Sequence, residues 1–121
     1  TTICAPTISQ LVGLKALSIK KSYIERMVKE YDRRRKFIVK RLNEIGLRTI
    51  MPQGAFYTFS NIQDITNNSM KFAKDLLNKA KVAVVPGSEF GSHGEGFIRC
   101  SYATDYRLIE KAMDRLEKFL K

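Results

Sequence analysis

The sequence predicts an α+β domain in which a small, mainly antiparallel sheet of about four strands packs against helices. Four segments repeat apolar residues at three- and four-residue spacings, which is typical of amphipathic helices. Four short runs rich in β-branched and aromatic residues are bounded by glycine, proline or polar residues and predict strands. The elements follow one another in the order α-α-β-β-α-β-β-α, without the regular βαβ alternation that predicts a parallel sheet.

The first two predicted helices are separated by a short interruption. Residues 7–17 follow Pro6 and carry apolar side chains at helical spacing. Ser22 and Glu25 have the spacing of a capping box, so we expect a long helix to begin there. That helix is expected to end at Gly46, since glycine is the usual left-handed cap.

The remaining elements are shorter and are punctuated by turns and caps. In order, they are strands at residues 47–51 and 55–60, a helix capped by Ser69, strands at 82–85 and 97–102, and a last helix capped by Thr104 and Asp105. The predicted core face of the last helix consists of Leu108, Ile109, Ala112, Met113, Leu116, Phe119 and Leu120. Most of the chain is therefore explained by packing alone.

The composition is that of one folded domain covering residues 1–121, with 44% hydrophobic and 28% charged residues. No apolar run approaches the roughly 18–20 residues that span a bilayer, so no membrane partner is expected. Cys4 and Cys100 match no metal or redox spacing, and His93 has no second ligand nearby, so no metal site is expected. Free thiols favour a cytoplasmic location.

The net charge of +10 is concentrated in residues 15–48, which hold 12 Lys or Arg against 4 acidic residues. Such a stretch is either a solvated helix face or a surface that attracts phosphates. A basic nucleic-acid-binding module is therefore one alternative function, although no recognition motif supports it. Arg35 lies in the apolar stripe of the long helix and Phe37 on its charged side, so either the helical wheel is only approximate here or both face a surface outside this chain.

The strongest single signal for function is Arg99, a permanent charge in the middle of an apolar strand. Burying a lone guanidinium is costly, and its planar fork matches a carboxylate with two parallel hydrogen bonds. Strand alternation places Phe97, Arg99 and Ser101 on one face, and Ile98, Cys100 and Tyr102 on the other. The anionic partner of Arg99 is either a substrate or an acidic side chain of the chain itself.

Acidic partners within reach of Arg99 in the sequence are Glu89, Glu95 and Asp105. The first two belong to a glycine-rich loop at residues 86–96, in which the glycines allow close backbone approach but equally suit an ordinary connection. The loop lacks both the Walker pattern and the GxGxxG dinucleotide pattern. The residues alone leave the choice between an internal salt bridge and a substrate contact open.

Three motifs in register resemble the class I/II aminotransferases, the fold-type I enzymes that use pyridoxal 5′-phosphate (PLP), and specifically their C-terminal portion. They are Pro52-Gln53-Gly54-Ala55-Phe56-Tyr57, Val85-Pro86-Gly87-x-x-Phe90-Gly91, and the run from Gly94 to Ala103, with further similarity at Ser9-Gln10, Ala16-Leu17, Tyr31 and Arg34-Arg35. The resemblance covers essentially the whole chain. Lys36 and Cys100 depart from the usual residues without touching the motifs' chemistry.

The resemblance implies that Arg99 binds the α-carboxylate of an amino-acid substrate, and that the chain is the small C-terminal domain and lid of an aspartate aminotransferase-like enzyme. It implies no catalytic residue and no cofactor-binding residue in this segment, because the family's PLP lysine and phosphate site belong to a preceding large domain. Residues 1–20 are then expected to be an interdomain segment, and the isolated chain is expected to be inactive.

The same resemblance implies a homodimeric parent enzyme that acts on an amino acid and a 2-oxo acid. Aspartate is the first expectation for the donor, and alanine and aromatic amino acids stay open. A regulatory or assembly domain without catalysis is a further alternative.

Overall fold

The computed structural model describes residues 4–121 and divides the chain into two compact units, one ending at Glu30 and the other comprising Tyr31–Lys121. The elements are α1 (Thr7–Ala16), α2 (Lys21–Glu44), β1 (Tyr57–Asn61), α3 (Ser69–Asp75) continued by a π-helical turn (Leu76–Ala80), β2 (Val85–Pro86), two 3₁₀ turns (Gly87–Phe90 and Ser92–Gly94), β3 (Phe97–Ser101) and α4 (Tyr106–Leu120). The predicted α+β class is confirmed.

The first unit contains α1 and the start of α2, and the side chains of residues 4–29 are exposed. Helix α2 begins at Lys21, so Ser22 lies inside the first turn and does not precede it as the predicted cap. The predicted interdomain segment at residues 1–20 falls in this unit, with residues 1–3 outside the described range. Its interdomain character stays a prediction.

The sheet has three antiparallel strands in the order β1-β3-β2, which corrects the predicted number of about four. The predicted strand at residues 47–51 is reduced to one bridge between Thr49 and Ser60. The Asn43 side chain accepts from the Thr49 backbone N–H at 3.0 Å and donates to its carbonyl at 3.0 Å. Because this amide satisfies both backbone groups of Thr49, the segment does not need a second strand neighbour.

The predicted strand at residues 82–85 is also shorter than expected. Pairing with β3 is limited to Val85 opposite Arg99 and Pro86 opposite Ile98. Lys81 adopts a left-handed conformation with φ +58°, and Pro86 has no N–H to donate. Residues 82–84 therefore run along the edge of the sheet without ladder pairing.

The core lies between one face of the sheet and helices α2, α3 and α4. Its buried members are Ile38, Val39, Leu42, Leu47, Ile62, Phe72, Leu76, Val82, Ile98, Cys100, Tyr102, Ile109, Met113 and Leu116. Ile98 and Cys100 confirm the predicted alternation of β3. Leu108 was expected in the core but is 57% exposed, because it lies at the margin of the apolar face of α4.

The other helix ends follow the expected chemistry, except for the start of α3. Gly46 has φ +89° and follows α2 as predicted, with the Leu47 N–H donating to the Leu42 carbonyl at 2.9 Å. Asp105 caps α4 by accepting from the Arg107 N–H. Asn68 caps α3 in place of the predicted Ser69, which is instead the first residue of that helix.

Arg35 and Phe37 find their partners inside the chain, which corrects the interpretation that both face an external surface. The Arg35 guanidinium donates to the Asp32 carboxylate and, at 2.6 Å, to the Pro52 carbonyl. The Phe37 ring packs on Tyr106 at a centroid distance of 4.8 Å. Both sides of α2 are therefore covered here by polypeptide of the same unit.

Among residues 4–121, no helix combines the length and the apolar character needed to cross a membrane.

Candidate functional site

Arg99 occupies the centre of the sheet on the face opposite the core. It lies in β3 between Phe59 of β1 and Val85 of β2, and its side chain is half-buried. The three-stranded pairing fixes its backbone on both sides. The cation is therefore held on a rigid element, as a binding group requires.

The Arg99 guanidinium makes no hydrogen bond and no ion pair with any residue in the described range 4–121. Its Nε atom is buried without a hydrogen-bonding partner. Glu95 accepts instead from the Ser69 N–H at 2.6 Å and from the Gly96 N–H at 3.1 Å, and Asp105 caps α4. Glu89 is exposed and forms no ion pair with Arg99. The internal salt bridge that the sequence left open is absent from the described part of the chain.

Two aromatic rings contact the Arg99 guanidinium. The Arg99 Cζ atom lies 4.3 Å from the centroid of the Tyr57 ring and 5.0 Å from that of Phe90. Cation–π contacts of this kind contribute about 0.5–2 kcal/mol and leave the N–H groups at the edge of the guanidinium plane free to donate. We call this group, with Phe59 and Phe97 beside it, the Arg99 site.

Neighbouring aromatic rings pack against Tyr57 and Phe90. Phe59 stacks on Phe97 at a centroid distance of 5.0 Å and meets Phe90 edge to face at 5.9 Å. Phe56 lies 4.4 Å from Tyr57. The packing limits the rotamers of both rings that contact Arg99, so the orientation of the guanidinium is restricted before any ligand arrives.

The turn before β1 is anchored from two directions and thereby places Tyr57. Arg35 binds the Pro52 carbonyl, and the Tyr102 hydroxyl donates to the Ala55 carbonyl at 3.0 Å. Burial raises the pKa of Tyr102 above its usual value, so the hydroxyl stays protonated and able to donate. Ala55 has φ +59°, a left-handed conformation that a non-glycine residue adopts only where the surroundings impose it.

The glycine-rich loop has a defined structure that places Phe90. A Cβ on Gly87 would come within 1.8 Å of the Gly94 carbonyl oxygen, so the two backbone segments approach as only glycine permits. The Ser88 N–H donates to the Ser69 hydroxyl at 3.2 Å. The backbone N–H groups of Ser69 and Gly96 lower the pKa of Glu95, which keeps this carboxylate ionised at the start of α3.

A cavity of about 150 Å³ opens beside Arg99 and is lined by Ala83, Val84, Val85 and Ser101 in addition to the arginine. These neighbours carry no charge. A fixed, unpaired guanidinium beside a partly apolar cavity binds a carboxylate strongly, because the low local dielectric strengthens a charge-assisted hydrogen bond. The site is thus suited to anchor one carboxylate group.

Sequence reasoning identified Arg99 but missed its aromatic frame and its support. Tyr57 and Phe90 belong to the quoted motifs, yet a period-two pattern does not show that residues from β1 and a 3₁₀ turn meet across one guanidinium. The misplaced charge of Arg35 was the one available signal for the support of the turn. One of the two sequence interpretations placed a partner for Arg35 outside the chain, whereas in the structure Arg35 donates to the Pro52 carbonyl.

The chain was compared with known protein families. The family model described as aminotransferase class I and II matches residues 1–116. A basic nucleic-acid-binding module and a non-catalytic assembly domain find no support among the matching relatives.

Among the most similar relatives, an aspartate aminotransferase of Pyrococcus abyssi is 53% identical over 120 residues, which are 98% of this chain and 31% of the relative. An aromatic-amino-acid aminotransferase of Thermococcus litoralis is 50% identical over the same shares of both chains. The solved structure of an alanine aminotransferase from Pyrococcus furiosus superposes with a TM-score of 0.92 and 39% identity, over 98% of this chain and 30% of that one. The chain thus spans slightly less than a third of the length of these relatives.

Proposed function

The chain belongs to the aminotransferase class I and II family, and we propose that it is the C-terminal small domain of a PLP-dependent aminotransferase. The parent enzyme would transfer an amino group from an amino acid to a 2-oxo acid. This segment would supply the substrate's α-carboxylate anchor and the lid of the active site.

One observation carries the proposal: Arg99 contacts two aromatic rings and lacks an anionic partner among residues 4–121. A two-point contact with a substrate carboxylate would satisfy the guanidinium and orient the rest of the amino acid. A carboxylate held by Arg99 and by the remainder of the enzyme at once would also favour closure of this domain over the substrate.

The residues of the Arg99 site suit a carboxylate and do not suit PLP. PLP supplies an electron sink for chemistry at the substrate Cα, and it requires a lysine, an acidic partner for its ring nitrogen and a phosphate site. None of the described side chains that contact Arg99 or line its cavity is a lysine or a carboxylate. We propose that polypeptide outside this chain holds the cofactor.

The donor amino acid is proposed to be aspartate, with alanine and aromatic amino acids as the alternatives. The relatives named above carry each of these three specificities in their names. Arg99 would bind the α-carboxylate that all three donors share, so this contact does not discriminate among them. Discrimination would come from groups that contact the donor's side chain.

The partners of this chain are proposed to be the large domain and a second subunit of a homodimer. Large apolar side chains on residues 8–28 are exposed, among them Ile8 at 76% and Leu17 at 88%. Many large apolar side chains exposed on one short stretch of chain are typical of an interaction site. Hydrogen exchange supports the proposal if residues 8–28 are protected only in the longer enzyme. Equal exchange of residues 8–28 in the isolated chain and in the longer enzyme would contradict the proposal.

A cytoplasmic location is proposed as well. Cys4 and Cys100 are both free thiols, which is consistent with a reducing compartment.

The direct test of this function is transamination by the longer polypeptide that contains this chain. Arg99→Lys keeps the charge and loses the fork, so kcat/KM is expected to fall by roughly two orders of magnitude or more. Arg107→Lys, on the exposed side of α4, is the matched control and is expected to be unchanged. Unchanged kcat/KM in Arg99→Lys would refute the role of Arg99.

The isolated chain gives a second test. It is expected to show no transamination and no visible absorbance band from covalently bound PLP. A stable band of that kind would contradict the assignment of the cofactor site to other polypeptide.

A further inference from the structure

A second cavity adjoins the one beside Arg99, with which it shares Ala83, Val84 and Ser101, and has a different character. Its volume is about 310 Å³, at the lower end of the range typical of small-molecule sites. Apolar side chains from α2, α4 and the edge segment line it, including Ile38, Val82, Val84, Leu108 and Ala112. The exposure of Leu108, which sequence periodicity assigned to the core, is explained by its place in this lining.

Three cations surround the apolar lining. They are Lys81 at the end of the π-helical turn, and Lys111 and Arg115 on α4. A neighbouring depression shares Lys81 and Arg115 and adds Lys79 and Lys118. We call these five residues the basic rim.

The basic rim results from a separation of charge around α4. Its acidic residues Glu110, Asp114 and Glu117 and its basic residues Lys111, Arg115 and Lys118 follow the same i, i+4, i+7 spacing, displaced by one residue. The two sets therefore lie on adjacent stripes, roughly 100° apart around the helix.

The acidic stripe is engaged on its own side. Arg41 of α2 contacts Asp114 at 3.1 Å and Glu117 at 3.0 Å. No acidic residue in the described range forms a salt bridge with any of the five residues of the basic rim. The cations of the rim are therefore available to an anionic ligand.

Arg115 is the group best placed to bind an anion. It is half-buried, and its only described hydrogen bond is a long one of 3.4 Å from Nη1 to the Lys81 carbonyl. That contact helps to cap the end of the preceding helix, whose dipole amounts to about half a charge. Five cations exceed what one helix end requires, so the cap does not account for the rim.

We propose that this cavity binds an amphipathic organic anion, namely a carboxylate with an unbranched apolar chain of medium length. The chain would lie against the apolar lining, and the carboxylate would bind Arg115 with Lys81 and Lys111 at the mouth. Although the two cavities share three lining residues, Arg99 lines only the first. Its ring contacts, Tyr57 and Phe90, line neither, so binding at the basic rim is distinguishable from binding at Arg99.

Titration of the 121-residue chain with decanoate, followed by calorimetry and by amide chemical shifts, tests this inference. We expect saturable one-to-one binding, with shift changes at residues 81–84 and in α4 and none at Tyr57 or Phe90, whose response would indicate binding at Arg99 instead. Decanol probes the contact of the apolar chain alone, and inorganic phosphate probes the contact of an anion with the rim alone. Each is expected to bind at least about tenfold more weakly than decanoate, since each lacks the other contact.

Variants of the rim make the test specific. Arg115→Gln is expected to weaken decanoate binding by about tenfold or more. Lys71→Gln removes the same charge from an exposed position on α3 and is expected to change the affinity for decanoate less than twofold. Equal loss in both variants, shifts at Tyr57 or Phe90, or phosphate binding as tight as that of decanoate would overturn the proposal. An unaltered amide spectrum of ligand-free Arg115→Gln excludes misfolding as the cause of a loss.

Discussion

At the scale of single residues, Arg99 is a half-buried cation that contacts two aromatic rings and has no anionic partner among residues 4–121. The two rings, Tyr57 and Phe90, stabilise the guanidinium through cation–π contacts. An internal carboxylate would stabilise the chain more directly but would have to be displaced by every substrate. Aromatic contacts lower the cost of burying the cation without competing for its donors.

Cys100, the neighbour of Arg99 in β3, provides the first prediction. It is buried, and desolvation raises the pKa of its thiol to about 11, whereas Cys4 is exposed. Because the thiolate is the reactive form, a thiol reagent at neutral pH is expected to modify only Cys4 in the folded chain. Mass spectrometry should show one modification per folded chain and two after denaturation.

The Cys4→Ser variant is the control and is expected to remain unmodified while folded. Rapid modification of Cys100 in that variant would contradict the burial of β3 against the core.

At the scale of elements, Glu95 links the glycine-rich loop to α3. Its pKa is lowered by the Ser69 and Gly96 N–H groups, so its ionised form stabilises the folded state. This contribution is fully present above the ordinary pKa of 4.5 and is lost as the pH falls through the lowered value. Glu95→Gln is therefore expected to be less stable than the unsubstituted chain at neutral pH, with the difference shrinking in acid.

Denaturant unfolding across this pH range measures the effect. Asp32 and Glu117 also have lowered pKa values through ion pairs, so the variant should keep part of its acid sensitivity. A stability difference that is the same in acid and at neutral pH would show that Glu95 acts without its charge.

The contact between Gly87 and Gly94 gives a prediction about the same loop. Gly87→Ala would place a Cβ 1.8 Å from the Gly94 carbonyl oxygen, so the backbone must move. We expect a loss of about 1–3 kcal/mol or more in the free energy of unfolding. Gly54→Ala is the control, because nothing lies within 4 Å of its added Cβ, and it is expected to stay within about 0.5 kcal/mol.

Denaturant unfolding curves of Gly87→Ala and Gly54→Ala measure the two free energies of unfolding. Equal stabilities would mean that the loop has no fixed path and that Phe90 is not held over Arg99 by it.

The elements also show which parts of the fold the sequence could predict. Helical and strand periodicity located α2, β1, β3 and α4, since each buries one face against the core, and it also located α1, whose side chains are exposed. The predicted strand at residues 47–51 does not form, because the Asn43 side chain takes the place of a strand partner for Thr49. The cap moved from Ser69 to Asn68 because Ser69 takes part in tertiary hydrogen bonds with Glu95 and Ser88. Such long-range polar contacts leave no periodic signal.

At the scale of the whole molecule, the two units differ in how far their apolar side chains are buried. Residues 31–121 enclose a continuous core, whereas the apolar side chains of residues 8–28 are exposed. Arg99 was predictable as a candidate residue, because a cation in an apolar strand is conspicuous, and its substrate-binding role stays a prediction. Its aromatic frame was not predictable, because Tyr57 and Phe90 are brought together only by strand pairing and by the folded loop.

The most direct measurement for the central claim is the discrimination of the longer enzyme between an amino acid and its α-carboxamide. The ratio of their kcat/KM values isolates recognition of the carboxylate. We expect the unsubstituted enzyme to favour the free acid by about a hundredfold or more, because a charge-assisted two-point contact is lost with the amide. In Arg99→Leu, the ratio is expected to fall to within a few-fold of one, whereas a ratio that survives the substitution would show that another group binds the carboxylate.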